Sequence, residues 1–140
     1  MQLLPTSHAL QSIRPADPAL ARQVLVDASA QLSRLDRQLR SDAAAGALIS
    51  QQWPVDIAMV AGDLRRGAGM ISRFGSREAL VGARMVDVAA DLVAMSGELR
   101  AASAAGTHFV PNDPFIARLL APTDVLRTAI DVLDSSSSWG

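Results

Sequence analysis

The chain has 140 residues, about one domain's worth, with 49% apolar residues, 19% charged residues and a formal net charge of −1. That balance excludes a disordered chain, which couples few apolar residues to a large net charge, and it argues against a generally basic nucleic-acid protein. The absence of Cys removes a disulfide framework, a thiolate metal site and a Cys nucleophile.

Residues 1–16 read as an irregular arm, because Pro5 and Pro15, with Pro18 just beyond, interrupt helix, while Leu3, Leu4, Leu10 and Ile13 supply apolar side chains for docking. Asp17-Pro18 is a helix start: Asp caps free amides and Pro suits the first turn. The first helix is predicted over 18–45, with Gly46 as its stop. Leu25, Ala28, Leu32, Leu35 and Leu39 form one apolar stripe, with Arg22, Arg37 and Arg40 mostly away from it.

A connection carrying Trp53 leads to Pro54 and to a second helix predicted over 55–74. Ile57, Val60, Leu64, Gly67, Ile71 and Phe74 give its stripe. Gly62, Gly67 and Gly69 each cost about 1 kcal/mol relative to Ala in a helix, so their presence implies close approach of another helix or a local distortion.

The third helix, predicted over 77–105, carries two stripes. Val81, Met85, Val88, Leu92, Met95 and Leu99 form the first; Ala79, Ala83, Val86, Ala90, Val93 and Gly97 form the second. Arg84, Asp87, Asp91 and Glu98 share the narrow remaining face, where three acids read as a solvated side. A helix apolar around most of its circumference is buried on more than one side, which makes this one central or gives it an oligomer contact as well as a core contact.

Asp113-Pro114 repeats the start signal, and the last helix is predicted over 114–134, with Pro122 kinking or splitting it. Ile116, Leu119, Leu126, Ile130 and Leu133 hold one phase across that proline, and residues 135–140 read as a flexible tail. Strand patterning is weak. The architecture implied is all-α: an antiparallel four-helix bundle with an irregular N-terminal arm and a Pro-kinked last helix. On these boundaries the first and third helices are about 42 Å long and the other two about 31 Å. The ends of the long pair then need cover from the arm or from a second subunit.

Chemistry-bearing groups are few. All 13 basic residues are Arg and there is no Tyr, which removes lysine Schiff-base, P-loop lysine and tyrosine acid–base roles. The missing Lys reads as codon bias of a GC-rich, bacterial-type genome, with selection against lysine modification as the alternative. His8 and His108 fall in the arm and a loop and read as solvated or capping residues. Glu78 and Glu98 have no His at ferritin-like spacing, and no EF-hand loop occurs, so no metal is expected. No nucleophile elbow or dinucleotide fingerprint is present; no catalytic residue and no cofactor are expected. Gly67-Ala68-Gly69 sits inside a helical pattern and is a weak phosphate-loop candidate.

Two surfaces remain. Ala83, Val86, Ala90, Val93 and Gly97 are the candidate interaction residues, and Met59, Met70, Met85 and Met95 could line an adaptable groove as well as fill the core. Arg65, Arg66, Arg73 and Arg77, with no acid from Leu64 to Arg77, are the candidate anion-binding residues, although arginines there also complement a helix dipole and cover apolar neighbours. Trp139 in the tail is either exposed or an anchor in a neighbour. The expectation is a non-enzymatic interaction module, an adaptor, chaperone or regulator, that is homodimeric and meets a protein partner. Alternatives are nucleic-acid or anion binding through the arginines, and a small apolar ligand held between the second, third and fourth helices. The expected setting is cytoplasmic: the start MQLLPTSHALQS lacks a basic region and an apolar core, which leaves signal-free secretion open.

Overall fold

A computed structural model of the protein describes residues 17–46, 51–106 and 113–137. Four helices account for nearly all of them: α1 (Pro18–Ala44), α2 (Gln52–Ile71), α3 (Ser76–Ala104) and α4 (Asp113–Ser137). Each helix packs on two others, in the ring α1–α2–α3–α4–α1. Ser96 against Pro54 and Gly82 against Ser72 run α2 and α3 in opposite senses, and Arg22 near the start of α1 pairs with Asp134 near the end of α4, as in an antiparallel bundle. Among the described residues there is no strand, and no helix is long and apolar enough to cross a membrane. The arm, His8, His108 and Trp139 lie outside the described residues.

Local chemistry sets the helix ends. Asp17 Oδ1 accepts from the Ala19 amide at 3.0 Å, with Pro18 in the first turn, satisfying one of the unpaired donors. Gly46 and Gly106 close α1 and α3 at φ 72° and 67°, where their amides bond back to Ala43 and Ser103; this left-handed geometry is one that glycine adopts without a Cβ penalty. The second helix begins at Gln52, before Pro54, and ends at Ile71, where 55–74 was expected. Pro54 sits in the first turn, where its missing N–H would have had no partner anyway. Trp53 is therefore a buried helical residue, not a residue of the connection. Past Ile71 the chain tightens into short-range bonds, Arg73 N to Met70 O and Phe74 N to Ile71 O, before Gly75.

The last helix runs unbroken through Pro122 and on to Ser137, so Ser135–Ser137 belong to it and not to a tail starting at 135. With 27, 20, 29 and 25 residues, the helices are about 40, 30, 44 and 38 Å long. Only α2 is short, and the expected mismatch between two long and two short helices is reduced accordingly.

The core forms from the stripes. Leu25, Leu32, Leu39, Ile57, Leu64, Ile71, Met85, Leu92, Met95, Leu99, Leu119 and Leu126 are its largest fully buried side chains. The closest helix pair is α2 with α3. A Cβ on Gly82 would meet the Ala68 carbonyl oxygen at 3.1 Å and press into the Ser72 hydroxyl, itself bonded to Ala68 O at 2.6 Å. At the other end of the seam, the buried Ser96 hydroxyl donates to Pro54 O at 2.6 Å. Replacing Gly82 by Ala is expected to destabilise the fold by up to about 2 kcal/mol net, because overpacking against Ser72 and the Ala68 carbonyl outweighs the ~1 kcal/mol that Ala gains in a helix. A raised denaturation midpoint would show that the seam can open without cost.

Candidate functional site

The second stripe of α3 faces outward. Its register follows from the seam: Gly82, Ala89 and Ser96 are buried, with Gly82 and Ser96 in contact with α2, and Ala83, Ala90 and Gly97 follow them by one position. A step of 100° carries a side chain from the α2 side to the outer surface. Val86 and Val93 lie between these rows and α2, and they are 45% and 44% exposed. Ala83, Ala90 and Gly97 are exposed as well, and Ala79 is half-buried. All five candidate interaction residues thus share one continuous face.

The same logic extends the face onto α2. Val55, Gly62 and Gly69 follow the buried Pro54, Ala61 and Ala68 by one position, and all three are exposed. Ideal Cβ atoms built on Gly62, Gly69 or Gly97 would meet nothing within 4 Å. No described residue packs against these glycines, in contrast to Gly67, whose Cβ would lie 2.9 Å from Leu25 Cδ2. Leu80 on α3, 71% exposed, lies in line with Glu98 on the α4 side, away from this face; it stands off both stripes, which is why the 3-4 spacing does not single it out.

The arginine group is less concentrated than its sequence suggests. Arg66 pairs with Asp63 one turn back, and Arg77 Nε lies 3.8 Å from Glu78 Oε1. Arg65 and Arg73 are exposed and have no ion-pair partner among the described residues. The start of α3 already holds an anion. Glu78 is buried in the first turn, with Oε2 where a Cβ on Gly75 would come within 2.6 Å, so any side chain at 75 would collide with it. A carboxylate there complements the positive end of the helix.

The acids of α3 are not simply a solvated side. Arg118 on α4 reaches Asp91 at 2.9 Å and Glu98 at 3.1 Å, joining the two helices. Its guanidinium is held above its ordinary pKa, first by the hydrogen bond to Asp91 and then by the charges of Asp91 and Glu98, against a lowering by burial. Asp87 stays outside this group. The signal was the 7-residue spacing of Asp91 and Glu98, but a long-range partner 20 or more residues away cannot be read from spacing alone.

Among the described residues no group of three or more His, Asp or Glu side chains could hold a metal, and no buried side-chain nitrogen or oxygen lacks a partner. Met85 and Met95 are core residues, Met70 is half-buried and Met59 is 58% exposed. Comparison with protein-family models, curated proteins and solved structures finds no match.

A double-mutant cycle on Arg118→Gln and Asp91→Asn is expected to give a coupling of about 0.5–1 kcal/mol that shrinks in high salt, because both groups are partly solvated. A coupling of zero at low salt would show that the Arg118–Asp91 pair adds nothing to stability.

Proposed function

We propose that the protein is a non-enzymatic helical interaction module, an adaptor, chaperone or regulator, that pairs with a second copy of itself through the outer face of α2 and α3. The observation that carries this reading is the coincidence of Val86 and Val93 with three open-space glycines on one surface. Exposed glycine in a helix costs about 1 kcal/mol relative to Ala, a cost that a bundle alone does not recover. A second helix approaching closely does recover it, because small residues let backbones meet while Val86 and Val93 fill the shallow holes opposite.

Area and charge support a second copy as the occupant. Two adjacent helix faces about 30 Å long and 20 Å wide together offer about 600 Å² per copy, or about 1,200 Å² in all, the lower edge of a stable interface. The exposed charges here are Arg65, which holds on α2 the position that Val86 holds on α3, and Asp87 at the edge, of opposite sign and both without an ion-pair partner among the described residues. A surface that carries both signs around an apolar strip can complement itself, as an isologous contact requires.

The test is mass in solution at micromolar protein. Light scattering is expected to return twice the chain mass, and Val93→Arg is expected to return the monomer with unchanged helix content. Gly97→Ala is expected to weaken the dimer about tenfold or more while stabilising the monomeric Val93→Arg background by up to about 1 kcal/mol. A wild-type chain that is monomeric throughout would refute self-pairing.

A further inference from the structure

A second feature lies on the opposite flank of α2, against α1. A cleft of about 360 Å³ opens there, lined by Gln31, Arg34, Leu35 and Gln38 of α1 and by Asp56, Met59 and Val60 of α2. Its size falls at the low end of small-molecule sites. Leu35 and Val60 are buried and make an apolar floor, while Met59, 58% exposed, stands over it as an unbranched, adaptable wall. The polar groups divide into two kinds. Gln38 is occupied, donating from Nε2 to Asp42 at 3.0 Å, and Asp56 accepts from Gln52 Nε2 at 2.9 Å. Arg34 and Gln31 have no hydrogen-bond or ion-pair partner among the described residues.

We infer that this cleft binds a small monocarboxylate with an apolar body, the carboxylate on Arg34 and Gln31 and the body on Leu35, Val60 and Met59. The guanidinium fork matches a carboxylate with two parallel hydrogen bonds, and the Gln31 amide supplies a further donor. Asp56 on the α2 wall sets the selectivity: its negative charge disfavours a second anionic group, so dicarboxylates and inorganic phosphate are rejected. Burying the apolar body supplies the affinity that an exposed guanidinium alone lacks. The site uses none of the residues of the α2–α3 outer face, so it stands whether or not the chain self-pairs.

The experiment follows the methyl resonance of Met59 in protein labelled at the methionine methyl groups, titrated in turn with octanoate, octanol, octylamine, suberate and phosphate. Octanoate is expected to shift Met59 saturably, with octanol, octylamine and suberate at least tenfold weaker and phosphate inert. Arg34→Gln is expected to weaken octanoate about tenfold or more, whereas Arg37→Gln, an exposed arginine outside the cleft, leaves it unchanged. Met59→Ala, followed by calorimetry, is expected to weaken it too. Equal affinity for octanol and octanoate, tighter binding of octylamine, indifference to Arg34→Gln or no saturable shift would each overturn the assignment.

Discussion

The close seam between α2 and α3 governs the rest of the molecule. Gly82 lies against the Ala68 backbone and the Ser72 hydroxyl at one end, and Ser96 holds the Pro54 carbonyl at the other. Small residues at a helix contact let the backbones approach, and that approach fixes the rotation of both helices about their axes. Once rotation is fixed, the large side chains of α3 must point inward, and its second apolar row has nowhere to go but the surface. The outer face is thus a geometric consequence of the seam, and its apolar character is what remains to be explained by function.

The two stripes of α3 could be read from 3-4 spacing, and so could the core stripes of α1 and α2, because burial against neighbours imposes that period on the side chains. What spacing could not say is which α3 stripe a neighbouring helix covers. Both are apolar, and only the placement of Gly82 and Ser96 against α2 decides. The start of α2 was misread at Pro54, since proline stops a helix interior but is tolerated within the first turn. The reach of Arg118 to Asp91 and Glu98, and the sharing of one cleft by Arg34 of α1 and Met59 of α2, join positions far apart in the chain, which one-dimensional patterning does not encode.

Charge is distributed with similar economy. Arg22–Asp134 and Arg118 with Asp91 and Glu98 link α4 to its two neighbours at the surface, where each pair adds little stability but opposes other registers. Arg66 and Arg77 are tied to adjacent acids, and Glu78 fills the N-terminal end of α3. The stretch that looked most basic in the sequence is therefore partly neutralised by the residues just outside it. Val55, Val86 and Val93 leave exposed apolar area on the α2–α3 face, and that contrast is the ground for proposing docking there over an anion site at the arginines.

The most direct measurement is the distance between two copies along α3. The chain has no Cys, so a single Asp87→Cys substitution at the edge of the face places one spin label per copy. Packed helices have axes about 8–10 Å apart, so pulsed dipolar spectroscopy is expected to show a short interlabel distance for that site and a much longer one for Arg37→Cys on α1. No dipolar coupling at Asp87→Cys, or the shorter distance at Arg37→Cys, would contradict pairing through this face.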